Sequence, residues 1–308
     1  MSNLRIQLFG KFSVRRGDQL LKGLAANKEQ ELLSYLLVLR DRCHPRETLA
    51  NVLWGDTSTE RSKKYLRQAL WHVQSALEAE GATGPQLLVV EHNWVQLNLQ
   101  SERWLDVEVF EQAFAATQEL AGSQLDARCA ALLKDAVELY KGDLLDGWYQ
   151  DWCLFERERL QNMYLGMLDK LMSYSEKHLE YEAGQRYGST ILRYDRAHER
   201  TYRQLMLLRH KAGDRIGAMR HYERCVAALD EELGIKPERR TTALYEYIRN
   251  DGSADFEPVG IPSTPVPAVS LPEVLRRLKK LHSILAAAQK RVHRDVKAVE
   301  QTLETMKH

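Results

Sequence analysis

Residues 60–80 read ERSKKYLRQALWHVQSALEAE, and the periodicity of this run decides the fold. Leu66, Ala69, Leu70, Val73 and Leu77 recur at three- and four-residue steps, which puts them on one face of a helix. The opposite face carries Arg61, Lys64, Arg67, Gln68, Trp71 and Ser75, with Lys63 and His72 at its edges. From Arg61 to Trp71 every charge is positive. An ordinary solvated face would intersperse acids to form pairs one helical turn apart. Trp71 sits in the middle of this polar face, where packing within its own unit gives no reason for an indole.

Working outward, residues 4–22 alternate apolar and polar (Leu4, Ile6, Leu8; Phe12, Val14) around turns at Gly10 and Gly17-Asp18, which predicts strands. Leu32, Leu33, Leu36, Leu37 and Leu39 predict a helix over 28–40, and Pro45 stands at the start of a second that runs to about Trp54. Gly55, Asp56, Thr57, Ser58 and Thr59 form the connecting loop, ending in helix-capping residues. After the break at 81–85, Leu87–Val90 and Val95–Leu99 flank Glu91-His92-Asn93-Trp94 as a β-hairpin. Strands, three helices and a hairpin make residues 1–100 a winged helix preceded by a small sheet.

From Asp106 to about Arg249 the pattern is helical almost throughout. Ala183 and Tyr187 recur as Ala218 and Tyr222, a 35-residue offset close to the tetratricopeptide period, so residues 101–249 are expected to be an all-α repeat domain. Residues 250–270 hold four prolines and only acidic charge, the composition of a linker. In 271–308, Leu271, Leu278, Leu285, Val292 and Val299 keep a seven-residue spacing with Val274 and Leu281 in the partner row, which predicts a coiled-coil helix that either pairs two chains as a homodimer or packs back on its own repeat domain. The expected fold class is mainly α, with an α+β N-terminal domain.

Composition excludes several classes. The chain has 308 residues, 44 Lys+Arg against 43 Asp+Glu, and 44% apolar residues, so it is neither wholly polybasic nor globally disordered. Residues 1–100 and 271–308 are net basic, and the middle is net acidic. Cys43, Cys129, Cys153 and Cys225 lie far apart with no C-x-x-C pair, which argues against disulfides or zinc and fits the cytoplasm. The start, MSNLRIQLFGKF, lacks a signal-peptide core, and no run of about 18 apolar residues predicts a membrane span. No metal-spaced His/Cys set, G-x-S-x-G or phosphate loop appears, so no catalytic residues, cofactor or metal are expected. The run Asp151-Trp152 to Glu156-Arg157-Glu158-Arg159 reads as an exposed salt-bridged helix face. Arg186, Arg193, Tyr187 and Tyr222 are candidates to hold a nucleotide or other anionic effector, although repeat-core packing of the tyrosines with arginines on the surface explains the pattern better. A protein-interaction scaffold is the other alternative.

The basic helix has definite chemistry available to it. Arg67 and Gln68 are the side chains able to bond guanine and adenine edges in a major groove. Lys63 and Lys64 suit phosphates, and His92 and Asn93 at the hairpin tip suit a flanking groove. Leu8-Phe9-Gly10-x-Phe12, Leu53-Trp54 and the third helix with its wing resemble an OmpR-type winged helix. Downstream, Asp106-Val107-x-x-Phe110-Glu111, Tyr140-Lys141-Gly142-Asp143-Leu144-Leu145, Gly213-Asp214 and Leu229-Asp230-Glu231-Glu232-Leu233-Gly234-Ile235-x-Pro237 are similar to the bacterial transcriptional activator domain. The pairing resembles the Streptomyces antibiotic regulatory protein (SARP) family over about residues 4–249. That resemblance implies an activator that binds direct repeats near a promoter's −35 element, dimerises through its helical domain and recruits RNA polymerase. It gives the Gly55–Thr59 loop the position that touches polymerase. Asn93-Trp94 departs from the Gly-Tyr often found in the wing, and no nucleotide-binding phosphate loop is present.

Overall fold

A computed structural model describes residues 4–21, 23–24, 27–77 and 86–250. These fall within one compact unit, Met1–Val259. The proline-rich segment from residue 251 on lies outside the described residues, and so does the tail with Leu271, Val274, Leu278, Leu281, Leu285, Val292 and Val299.

The first sheet is built from β1 (Leu4–Gln7), β2 (Ser13–Arg16) and β3 (Gln19–Leu20) as an antiparallel ribbon. Alternation holds in β1, where Leu4 and Ile6 are buried and Arg5 is exposed. Three helices follow: α1 (Asn27–Val38), α2 (Arg46–Trp54) and α3 (Thr59–Leu77). A short strand, β4 (His44–Pro45), precedes α2 and pairs with the hairpin β5 (Leu88–Val90) and β6 (Trp94–Leu97). These elements match the expected winged helix, including the proline at the mouth of α2.

The sheet does not stop at residue 100. A strand the sequence did not announce, β7 (Arg103–Leu105), lies parallel to β1, with Leu4 opposite Arg103 and Ile6 opposite Leu105. On the outer face, the Arg5 guanidinium sits 4.2 Å over the Trp104 ring. The chain passes from β7 directly into α4 (Asp106–Thr117), and α5 (Ala127–Leu139), α6 (Asp151–Lys177), α7 (Tyr181–Tyr194), α8 (Glu199–Lys211), α9 (Arg215–Leu233) and α10 (Arg239–Arg249) follow. Successive helices pack on one another from α4 to α10. Ala183 is the third residue of α7 and half-buried, whereas Ala218 is the fourth of α9 and fully buried. Side chains tie α8 to α6 through Arg200 to Asp169 (3.1 Å) and Gln204 to Ser173 (3.1 Å), and the α7–α8 turn to α9 through Arg196 to Glu231 (3.0 Å). Helix α9 ends on Gly234, whose left-handed backbone (φ 65°) an L side chain would resist.

A single hydrophobic core runs from the sheet through the three helices into α4–α7. Two polar contacts fix the junction. The Asp106 carboxylate accepts the N–H groups of Leu8 (2.8 Å), Phe9 (2.9 Å) and Val107 (2.8 Å). The segment after α5 then pairs with the end of β1: Gly10 donates to Asp143 O, Leu145 to Leu8 O and Asp146 to Gly10 O, each at 2.8 Å. Arg157 on α6 holds this segment by donating to the carbonyls of Leu144 (2.9 Å), Leu145 (3.0 Å) and Trp148 (2.9 Å). Phe9 packs on Phe110 and Tyr140, and Tyr140 stacks on Tyr164 at 4.2 Å.

The run 151–159 is therefore not the exposed salt-bridged face expected from sequence. Glu156 is buried, Arg157 serves backbone carbonyls, and Arg159 bridges Glu156 and Glu111, which also pairs with Arg40. Helical spacing could not separate a solvated row of charges from one folded into a junction, because both use the same residues.

Candidate nucleic-acid interface

Helix α3 buries Ser62, Leu66, Ala69, Leu70, Val73 and Leu77 against α1 and α2. Packing of this face leaves the other in water: Arg61, Lys64, Arg67, Gln68, Trp71 and Ser75 are all exposed. Nineteen residues at about 1.5 Å rise make a rod of roughly 28 Å. Glu60 is the acid of the first turn, where the helix dipole favours it. No acid follows it along α3, so Arg61, Lys64 and Arg67 form a cationic stripe.

The two edge residues are engaged. Lys63 Nζ lies 2.8 Å from Glu47 Oε1 in the first turn of α2, a bond that lowers the Glu47 carboxyl and raises the Lys63 ammonium from their ordinary values. His72 Nδ1 meets Glu29 Oε1 on α1, and its half-buried ring faces the Trp71 ring at 5.1 Å. Both therefore hold α3 to its neighbours as well as bordering the stripe.

The wing is pinned to the start of α2. The Arg46 N–H donates to Asn93 O (2.9 Å), its guanidinium to Glu91 O (3.2 Å), and Glu91 N–H closes the hairpin on Trp94 O (2.9 Å). His92 and Asn93 project from the tip and are exposed. The anchoring role of Arg46 was missed by the sequence, since its partners lie more than forty residues on.

Gly55, Asp56, Thr57, Ser58 and Thr59 are all exposed between α2 and α3. Thr57 binds Trp54 O through its hydroxyl (2.9 Å) and its N–H (3.1 Å), and Ser62 N–H donates to Ser58 O (2.9 Å). The loop thus has a fixed shape and a free outer surface.

The effector candidates do not form a comparable site. Arg186 and Arg193 are exposed on α7, whereas Tyr187 packs against the core and Tyr222 stacks on Tyr245 at 4.2 Å. Likewise, among the described residues no group of His, Cys, Asp and Glu gathers in metal-ligating geometry, and no helix is long and apolar enough to cross a membrane.

Residues 105–249 match the family model described as the bacterial transcriptional activator domain. Regulatory protein AfsR of Streptomyces coelicolor is 25% identical over 244 residues, covering 76% of this chain and 23% of that protein. The chain thus spans about a quarter of the length of the curated relative it matches. Mycobacterium tuberculosis EmbR, solved in complex with a low affinity phosphopeptide, superposes with a TM-score of 0.65 at 17% identity, over 83% of this chain and 67% of that one. The shared architecture is a winged helix followed by a helical domain.

Proposed function

We propose, from the match of residues 105–249 to the bacterial transcriptional activator domain, that this chain is a SARP-like transcriptional regulator that binds promoter DNA through α3 and recruits RNA polymerase. The observation that carries the proposal is the acid-free stripe of Arg61, Lys64 and Arg67, exposed along a helix whose other face is fully packed. A rod of that width enters a major groove. Arg67 and Gln68, near its middle, reach base edges. Arg61 and Lys64 neutralise phosphates and release counterions, with Lys63 contributing from the edge. His92 and Asn93 follow the flanking groove.

The exposed Gly55–Thr59 loop is the surface offered to polymerase. Direct repeats require two heads side by side, so the chain works in the cytoplasm as a homodimer joined through its helical domain and tail. Control by an anionic effector at Arg186, Arg193, Tyr187 and Tyr222 has less behind it, because two of the four side chains are spent on packing.

The test is selection of duplexes from fragmented genomic DNA by the purified chain, with and without a panel of nucleotides. Direct repeats upstream of promoters are expected. Arg67→Ala should relax one base position at a cost of about 1–3 kcal/mol, and Lys64→Ala should weaken all sequences alike and reduce the salt slope by about one. If both variants bind as the parent does, α3 is not the reading helix.

A further inference from the structure

We infer that Trp71 is a specificity residue that selects thymine, by packing its indole on the thymine 5-methyl group one to two base pairs from the base read by Arg67. This rests on α3 being the DNA-reading helix. Trp71 is 65% exposed, the most exposed large apolar side chain on that helix. It continues the stripe of Arg61, Lys64 and Arg67, and it lies four residues beyond Arg67, roughly 6 Å along the axis. Base pairs follow one another at roughly 3.4 Å, so the two side chains meet neighbouring steps.

One aromatic side chain flanks the ring. His72 stands beside it at 5.1 Å with the planes tilted by 58°, and His72 is itself bonded to Glu29 on α1. His72 thereby acts as a buttress, and the indole is held on the solvent side of α3. Holding a side chain before binding spares the complex the cost of ordering it.

The surroundings choose the occupant. An indole set among Arg67, Lys64 and Gln68 is a poor fit for an apolar protein groove, which would have to bury those cations. A polyanion neutralises them while offering the indole one apolar group. In the major groove that group is the thymine methyl, because the other base edges present donors and acceptors. The indole has a single N–H and cannot form the paired bonds that distinguish guanine or adenine.

The experiment uses the full chain and the duplex it enriches most strongly from a randomised pool. Each thymine of that duplex is replaced in turn by deoxyuridine, which removes only the methyl. At one thymine near the Arg67 base, the parent should lose about three- to tenfold in affinity. Trp71→Ala should lose a similar factor on the thymine duplex and become indifferent to the uracil replacement, while Trp71→Phe should keep part of the difference. An alanine variant that is weakened equally on thymine and uracil at every position places the indole on the sugar-phosphate chain and overturns the inference. An alanine variant that binds as the parent does removes Trp71 from the interface. A parent chain that retains no duplex at all takes down the α3 proposal itself, and that outcome is distinct from the other two.

Discussion

Asp106 receives three backbone N–H groups in a place that water hardly reaches, and burial pushes its carboxyl from 3.8 up to about 6 while those donors pull it back. On α9, burial and the nearby Arg209 and Arg224 push the His221 imidazole from 6.5 down to about 4. The two act in opposite directions on stability. Asp106 binds its proton more tightly folded than unfolded, so its contribution is complete below 3.8 and is lost as pH rises through about 6. His221 is held neutral, so its contribution is complete above 6.5 and is lost as pH falls through about 4. Asp106→Asn should make stability climb more steeply between pH 4 and 6.5, and His221→Gln should make it decline over the same interval, each by about 3 kcal/mol end to end. Urea melts at half-unit pH steps measure both. Asp106 was legible as the start of a family motif. Its task was not, because the atoms it serves stand 98 and 97 positions earlier in the chain.

Helix boundaries were largely legible, since burial of one face imposes a period that a sequence displays: α3 was expected over 60–80 and is observed over Thr59–Leu77. Strand β7 was not, because three residues are too short to show alternation and its partner lies near residue 4. The cationic face of α3 was legible residue by residue, but the ties of Lys63 to Glu47 and His72 to Glu29 required the neighbouring helices to be in place. The same limit hid the clasp on α6. Arg157→Met keeps the aliphatic stem and leaves the carbonyls of Leu144, Leu145 and Trp148 short of a charged donor, at a cost of about 3 kcal/mol. Amide exchange at Leu145, Asp146 and Gly10 should accelerate together, since their bonds form one ladder. Faster exchange at Leu145 alone would mean that the segment is held by something other than Arg157.

Across the whole molecule, the boundary at residue 100 does not separate two independent cores. The head shares its sheet with β7, its polar junction with Asp106 and its apolar interior with Phe110 and Tyr140. A chain ending at residue 100 loses all three, and it should show no cooperative thermal transition by circular dichroism. A chain ending at residue 250 should melt in a single step. A sharp transition in the shorter chain would restore the head as an independent folding unit.

The parallel pairing of β1 with β7 also sets an order of events during synthesis. Everything from Leu8 to Glu102, α3 and the wing included, is the crossover between those two strands. A ribosome adding about 5–20 residues per second releases Leu4–Gly10 long before Leu105, and Leu144–Asp146 later still. For roughly ten seconds Ile6, Leu8 and Phe9 therefore wait without their final neighbours, and α3 reaches its mount only when the helical domain has begun to emerge.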